Sequence, residues 1–306
     1  MTRAAPRSID EYLKQLRDAL RGADPALVQD ALYDAEEYLR AEVASHPGKS
    51  EADVLELIAS TYGAPDEVAA AYRDTEVKVT AALRPVTPKN IDSPNPLRRF
   101  FAVYSDPRAY TSLFYMLLTL ATGIVYFVFV VTGLSLSAGL AVLIIGLPFF
   151  LVFIGIARVL ALGEGRLLEA ITGERMPRRP VHPGPSSGIW SRIGAMLSDS
   201  RTWTTLAYLV LMLPLGIFYF VLAIVGISVA GALVVAPFLL MAQHFGWIVN
   251  DGTPIEIHPA FFGSPVGSLF LVALGVLIFT ALMHAARGIG RGQVALARAL
   301  LVKPGM

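Results

Sequence analysis

Apolar and polar residues alternate in two different ways along this chain. Between residues 8 and 73 apolar residues recur every three or four positions, whereas residues 111–157 and 202–250 carry no charged side chain at all. The first pattern is typical of amphipathic helices that bury one face. The second is typical of helices that cross a bilayer. The chain is therefore predicted to join a small helical domain to a membrane domain.

Four short helices are predicted in the front segment. The stretch Ser8-Ile-Asp-Glu11 is a capping-box signal, in which two side chains satisfy each other's free backbone amides. Gly22 and Gly63 are expected to end helices, Ser50 to cap the third helix and Pro65 to begin the fourth. A bundle of this size lies near the lower limit for an independent hydrophobic core.

The acidic run of the second helix, Asp34, Glu36 and Glu37, leaves two interpretations open. The simpler one is a solvated helix face, and the other is a docking surface for a partner. A candidate docking face combines aromatic and acidic residues, namely Tyr12, Tyr38, Glu37, Tyr62 and Glu67. No catalytic constellation is present in this segment.

The motifs of the front segment are Tyr12-Leu13 with Leu16 and Leu20, followed by the string from Gly48 to Ala69. They resemble the HAAS domain, named for helical association with anti-sigma factors, over residues 8–73. The family's usual Leu-Gly-Asp-Pro is replaced here by residues 62–65, Tyr-Gly-Ala-Pro, which keep the helix break. The resemblance implies a signalling adaptor whose partner is a PadR-like transcriptional regulator or an anti-sigma-type component.

Residues 84–97 carry four prolines and no sustained helical pattern, which is typical of a stiff, extended connector. We therefore expect three parts. They are a helical domain at 1–80, a linker at 81–97 and a membrane domain at 98–306.

The membrane domain repeats itself with an offset of 93 residues. The matches include polar and glycine positions that hydrophobic segments do not share by chance: Asp106, Arg108, Tyr115, Gly123, Tyr126 and Gly133 recur as Asp199, Arg201, Tyr208, Gly216, Tyr219 and Gly226. We expect two parallel repeats, 99–176 and 192–303, related by a pseudo-symmetry axis along the membrane normal.

Four crossings are expected, at about 109–132, 136–161, 203–226 and 266–286. Hydropathy alone also permits a fifth at 229–243. Four crossings, however, place all the arginine clusters on one side, and the basic side of a bacterial inner membrane protein is cytoplasmic. Both termini are then cytoplasmic. Residues 229–265 form an outer half-helix and insertion, in which Asn250-Asp251-Gly252 suggests a small β-hairpin. The predicted fold class is thus an all-α membrane protein with that one exception.

A second resemblance rests on Gly123-Ile-Val-Tyr-Phe127, Gly133-Leu-Ser135, Gly146-Leu-Pro148 and Ala157-Arg158, and on their partners in the second repeat. They are similar to the four-span "putative sensor" domain found upstream of actinobacterial histidine kinases and in stand-alone proteins. The resemblance covers about residues 99–303. No kinase core follows, so any signal is expected to leave through the HAAS-like domain.

The sequence gives little support for catalysis or a cofactor. It has no cysteine, no known nucleophile, zinc-protease or phosphate-loop motif, and no ionisable residue in the central part of any predicted span. Two candidate ligand sites remain, each with ordinary packing or interfacial polarity as the simpler interpretation. One is on the outer side (His244, Trp247, Asp251, Glu256, His258), and the other is in the membrane core (Tyr115, Tyr126, Tyr208, Tyr219).

The expected function is that of a non-enzymatic membrane sensor or signalling scaffold. Its partners are the lipid bilayer and a cytoplasmic protein, without direct nucleic-acid binding, and self-association is left open. The alternative is an accessory or permease-like subunit of a transport system, because HAAS-like domains also accompany permeases.

Overall fold

A computed structural model describes residues 5–83, 95–142, 146–177, 194, 197–245 and 264–301. The regular secondary structure of these residues is helical, which confirms the predicted all-α class. The predicted β-hairpin lies outside the described residues. The helices are α1 (Ile9–Ala19), α2 (Pro25–Ser45), α3 (Glu51–Ile58), α4 (Pro65–Leu83), α5 (Pro96–Phe101), a 3₁₀ turn (Ala102–Ser105), α6 (Pro107–Ala141), α7 (Gly146–Thr172), α8 (Ser200–His244) and α9 (Pro265–Leu301).

Helices α1–α4 form the predicted small bundle around one apolar core. Its buried members are Ile9, Tyr12, Leu16, Leu20, Ala31, Ala35, Leu39, Leu55, Ile58, Val68 and Ala69. Gly22 and Gly63 adopt φ values of 85° and 98° at the predicted breaks after α1 and α3. Glycine adopts this left-handed conformation without the steric penalty of a Cβ atom.

The capping box lies at a different helix from the one predicted. The Ser8 hydroxyl does accept a hydrogen bond from the Glu11 amide, but the Glu11 carboxylate accepts one from the Arg7 amide instead of that of Ser8. The reciprocal pair forms at α3, where Ser50 Oγ accepts from the Asp53 amide and Asp53 accepts from the Ser50 amide, both at 3.2 Å. The capping box at α3 is thus completed by Asp53, whose side chain is shorter than that of a glutamate at the same spacing.

Ser50→Ala is expected to lower the free energy of unfolding of the bundle by about 1 kcal/mol, because the α3 amides lose their side-chain acceptor. Hydrogen bonds from Ser50 lower the pKa of Asp53. The stability that the Asp53 carboxylate contributes is therefore present above the unfolded-state pKa of aspartate and is lost in acid, below about pH 4. Denaturant titration of the full chain at pH 7 and pH 3 would measure both effects. Ser60→Ala, at an exposed serine past the end of α3, is the control. Equal effects of the two substitutions would refute the assignment.

Four helices, α6 to α9, are long and apolar enough to cross a membrane, as predicted. Two of them continue past the predicted ends of their spans. Helix α6 runs through Gly133 to Ala141, and α8 runs through Gly226 to His244, so residues 229–244 are not a separate half-helix. These glycines are packing positions: a Cβ at Gly226 would lie 2.9 Å from the Leu282 side chain. The number of crossings remains a prediction.

The described chain forms two compact units. The first comprises Met1–Pro85, Val128–Leu209 and Val294–Met306, and the second comprises Val86–Phe127 and Val210–Gln293. The helical bundle therefore shares a unit with α7, with the start of α8 and with the end of α9. This grouping places the bundle beside arginines that follow the apolar segments.

Within the second unit, α6 and α8 meet at two glycines through reciprocal contacts. A Cβ at Gly123 would lie 2.6 Å from the Met212 carbonyl oxygen, and a Cβ at Gly216 would lie 2.6 Å from the Thr119 carbonyl oxygen. Residues 119 and 212 are themselves 93 positions apart. Reciprocal contacts of this kind are what a two-fold relation between duplicated segments produces. The duplication and the direction of its axis remain predictions.

Candidate functional site: the docking interface of the helical bundle

The amino end of α2 forms one side of the candidate site. Asp24 caps the helix by accepting a hydrogen bond from the Ala26 amide at 2.8 Å, and Pro25 occupies the first helical position. Asp30, one and a half turns further on, is only 4% exposed. A carboxylate at this degree of burial requires a cation or several donors.

Arg175 supplies that cation. Helix α7 ends at Thr172, and Gly173 follows it with a φ of 71° that turns the chain. The Gly173 amide donates to the Glu169 carbonyl at 2.8 Å. Two residues later the Arg175 guanidinium lies 3.1 Å from Asp30 Oδ2 and also contacts the Glu76 carboxylate of α4. The side chains of Arg175, Asp30 and Glu76 are 13%, 6% and 19% exposed. One arginine after α7 thus joins two helices of the bundle.

Two further arginines reach the same end of α2. From α9, Arg298 Nη2 lies 3.4 Å from Asp24 Oδ2 and donates to the Arg175 carbonyl at 3.1 Å. From the start of α8, Arg201 donates to Gln29 Oε1 at 3.4 Å. We call these contacts the docking interface: Asp24, Gln29, Asp30 and Glu76 of the bundle with Arg175, Arg201 and Arg298.

The docking interface is strongest at its buried centre and weak at its edge. Arg298 and Asp24 are 41% and 30% exposed, so their pair contributes little after solvent screening. The pair of Arg175 with Asp30 is largely desolvated, and removing one member of such a pair typically costs about 3–5 kcal/mol because the other charge is stranded. The interface therefore depends on Arg175 more than on any surface pair.

A cavity of about 60 Å³ opens beside the docking interface, and we call it the corner cavity. It lies at the start of α8, where Asp199 Oδ1 accepts a hydrogen bond from the Arg201 amide at 3.0 Å. Arg158 of α7 lies 3.6 Å from Asp199 and donates to the Thr202 hydroxyl at 3.3 Å. Its lining residues are Gln29, Arg158, Ala161, Leu162, Gly165, Met176, Pro177, Asp199, Arg201, Thr205 and Leu301.

The start of α6, in the second unit, has a comparable arrangement of a capping aspartate and a nearby arginine. Asp106 caps the helix by accepting a hydrogen bond from the Arg108 amide at 3.0 Å, and Arg287 lies 3.3 Å from Asp106 Oδ2. Tyr110 donates to the Tyr104 carbonyl at 3.0 Å, just as Trp203 donates to the Leu197 carbonyl at 2.9 Å. The arginines that follow the two aspartates differ in their surroundings: Arg108 is exposed, whereas its counterpart Arg201 lines a cavity.

The predicted docking face is only partly available for a partner. Tyr12 is 4% exposed, and its hydroxyl donates to the Gly63 carbonyl at 2.9 Å, so we assign it to the core of the bundle. Tyr38 and Tyr62 are half-buried and stack with ring centroids 4.3 Å apart. Glu37 and Glu67 are exposed. The acidic residues are therefore the most accessible part of this face.

The acidic run of α2 is not uniformly solvated either. Asp34 accepts a hydrogen bond from the Tyr72 hydroxyl at 2.9 Å, and Glu36 pairs with Arg40 at 2.8 Å. Burial, and then the hydrogen bond to the Asp34 carboxylate, raise the pKa of Tyr72, so its hydroxyl remains a donor at neutral pH. Asp34 thus helps to hold α4 against α2.

The structure describes one of the two predicted ligand sites, and both remain predictions. The four membrane-core tyrosines, Tyr115, Tyr126, Tyr208 and Tyr219, are all buried, and Tyr219 donates to Gln293 Oε1 at 3.1 Å. None of them lines the corner cavity. Of the outer group, Trp247, Asp251, Glu256 and His258 lie outside the described residues, as does the side chain of His244. Among the described residues no group of three metal-ligating side chains is found.

The arginines served above to predict the membrane topology, but their role in docking was not predicted from the sequence. Arg175 and Asp30 are 145 positions apart, and no local motif connects them. The available signal was one of charge: the front domain contains most of the acidic residues, and the basic residues of the second half follow the apolar runs. Charge complementarity of this kind predicts contact between two domains but not the residues involved.

The four long apolar helices and the docked bundle define a polytopic α-helical membrane protein. The family model described as "Putative sensor" matches residues 115–301, more than half of the 306-residue chain, and the chain belongs to this family. The HAAS model matches residues 11–71. Both are non-catalytic signalling modules, so the chain is a membrane sensor or signalling protein. No curated protein and no solved structure matches the chain.

Proposed function

We propose that the protein relays a signal from the membrane to a cytoplasmic regulator by holding or releasing its HAAS bundle at the docking interface. The observation that carries this proposal is the buried contact of Arg175 with Asp30 and Glu76, which ties the signalling module to the segment that follows α7. A partner that binds the bundle must compete with this contact or use a different face.

The arrangement of the arginines supports a relay. Arg175 follows α7, Arg201 begins α8 and Arg298 lies in the last turn of α9. Two helices and the segment after a third therefore contact the amino end of α2, and a small shift of one of them changes several contact distances together. Ion-pair energies vary inversely with distance and increase with desolvation, so the docked state is sensitive to such shifts.

The partner and the orientation follow from the resemblance and from the charge pattern. HAAS domains are signalling adaptors, so the partner we propose is a PadR-like transcriptional regulator or an anti-sigma-type component. The bundle is contacted by Arg175, Arg201 and Arg298, which flank apolar helices. An excess of arginine beside membrane spans is typical of the cytoplasmic side of a bacterial inner membrane protein, and this is the side we propose for the bundle. The exposed Glu37 and Glu67 are the proposed partner contacts.

Capture of the regulator from native membranes tests the relay. Full-length protein, a variant lacking residues 1–80 and the Glu37→Gln/Glu67→Gln variant would be purified and their bound proteins compared by mass spectrometry. Full-length protein is expected to retain a regulator that the deletion loses, while both insert into the membrane equally. The double variant is expected to bind it several-fold more weakly. Equal capture with and without residues 1–80 would rule out the relay through the bundle.

A further inference from the structure

We propose that the corner cavity binds the phosphate group of an anionic phospholipid, and that its occupancy loosens the docking of the bundle. The binding step stands on the cavity alone. The regulatory step rests on the function proposed above. Together they identify the composition of the surrounding bilayer as a signal that this protein detects.

The charges that line the cavity favour an anion. Among the lining residues that the structure describes, two guanidinium groups, those of Arg158 and Arg201, face one carboxylate, that of Asp199. The other polar residues of this described lining, Gln29 and Thr205, are neutral. The described lining thus carries one excess positive charge, in a place partly shielded from solvent where an anion is attracted more strongly than in bulk water.

Both guanidinium groups also have donor capacity to spare. The contacts of Arg158 with Asp199 and Thr202 are 3.6 and 3.3 Å long, and that of Arg201 with Gln29 is 3.4 Å long. Charge-assisted hydrogen bonds between well-matched partners are about 2.7–2.9 Å long. A guanidinium has five donors in a planar fork that suits phosphate, so the two arginines can bind an anion more tightly than they bind their present partners.

The size and the setting of the cavity fit a lipid headgroup. A volume of about 60 Å³ corresponds to roughly four to six waters, comparable to the five heavy atoms of a phosphate group. Leu162, Met176 and Leu301 provide an apolar wall for the glycerol end of a lipid. Trp203, next to Arg201, is 47% exposed, and exposed tryptophans at the end of an apolar helix mark the headgroup level.

Gln29 connects the cavity to docking. It is a residue of the bundle, and its neutral amide oxygen is the acceptor for Arg201. A phosphate is a stronger acceptor for guanidinium than a neutral amide. A phosphate that accepts from Arg201 Nη2, the donor that now contacts Gln29, therefore displaces Gln29 and removes one contact from the docking interface.

Lipid retention by the full-length protein tests the binding step. Purified protein would be equilibrated with phosphatidylglycerol, phosphatidylcholine or inorganic phosphate, and bound molecules counted by native mass spectrometry. Wild type is expected to retain one phosphatidylglycerol and no phosphatidylcholine. Arg201→Gln is expected to weaken retention about fivefold, and Arg201→Lys less. Arg108→Gln, at the exposed counterpart of Arg201, is the matched control and should behave as wild type.

Three outcomes would overturn the binding step or its lipid source. Equal retention of the two lipids would exclude recognition of anionic headgroups. Equal retention by Arg201→Gln and Arg108→Gln would place the bound lipid elsewhere. Retention of inorganic phosphate without phosphatidylglycerol would identify a free anion, not a lipid, as the ligand. Because no partner protein is present, these results do not depend on the relay.

The regulatory step has a separate readout. The chain contains no cysteine, so an Ala26→Cys substitution provides a single thiol on α2 without removing the contact of Gln29 with Arg201. Ala26 is 2% exposed and is not a member of the core cluster of the bundle. Labelling of this thiol by a maleimide is expected to be several-fold faster in phosphatidylglycerol nanodiscs than in phosphatidylcholine nanodiscs. Equal rates, in a protein that does retain phosphatidylglycerol, would overturn regulation while leaving the binding site intact.

Discussion

Arg175→Ala is expected to release the helical bundle from the rest of its unit while leaving the bundle folded. The substitution removes the Arg175 cation from the carboxylates of Asp30 and Glu76, which are 6% and 19% exposed. Removing one member of a buried ion pair typically costs about 3–5 kcal/mol. Undocking lets both carboxylates regain water, so the cost is expected to appear as separation of the bundle and not as unfolding of its core.

Thiol labelling would measure the release directly. In full-length protein that carries Ala26→Cys, at a buried residue of α2, Arg175→Ala is expected to accelerate maleimide labelling at least tenfold. Arg166→Ala, at an exposed arginine of α7 that does not line the corner cavity, is the control and should change the rate little. A rate for Arg175→Ala equal to that of the control would show that the bundle is not held by this contact.

A double-mutant cycle would show that the effect belongs to the pair. Asp30→Asn removes the carboxylate charge that faces Arg175. Combining it with Arg175→Ala is therefore expected to disturb docking less than the sum of the two single changes. Additive effects would indicate that Arg175 acts through other residues. The pair is suited to such a cycle because both side chains are mostly buried and 3.1 Å apart.

The fold class could be predicted because it depends on composition and on short-range periodicity. The uncharged run before Arg158 contains most of α6 and the first part of α7, and the uncharged run after Arg201 contains most of α8. These helices could therefore be located without any knowledge of tertiary contacts. The breaks at Gly22 and Gly63 were predictable for the same reason, since helix ends depend on the local backbone.

The helix ends within the membrane domain could not be predicted in this way. Gly133 and Gly226 resemble the glycines that end soluble helices, but in an apolar setting a break exposes backbone groups that have no water to bind. The helices therefore continue, and the glycines accommodate Phe153 and Leu282 instead. Glycine is the same local signal in both cases, but a soluble helix ends in water and these helices lie in an apolar environment.

The docking interface and the role of Tyr12 depend on long-range contacts that no local pattern encodes. Tyr12 looked suitable for a partner because it is aromatic and close to acidic residues. Its hydroxyl instead finds the Gly63 carbonyl, 51 positions away, and this lets a polar aromatic residue sit in the core of the bundle. Asp30 is buried for a comparable reason, through Arg175.

Gly123→Ala is expected to destabilise the membrane domain, although alanine is the better helix former. In the interior of an exposed helix, exchanging glycine for alanine stabilises by up to about 1 kcal/mol. At Gly123, however, the new Cβ would lie 2.6 Å from the Met212 carbonyl oxygen and 3.0 Å from the Leu213 Cα. Backbone atoms cannot rotate away, so α6 and α8 must separate. Overpacking of this kind typically costs about 1–3 kcal/mol.

A matched glycine in the same helix separates packing from helix propensity. A Cβ at Gly139 meets no atom within 4 Å, so Gly139→Ala is expected to be neutral or stabilising. Gly216→Ala, which would meet the Thr119 carbonyl oxygen at 2.6 Å, is expected to match Gly123→Ala in sign and size because the two contacts are reciprocal. Titration of the purified protein with a denaturing detergent, followed by circular dichroism, would measure the stability of all three variants. A Gly123→Ala variant as stable as Gly139→Ala would contradict close approach of α6 and α8, and unequal effects at Gly123 and Gly216 would contradict the two-fold relation.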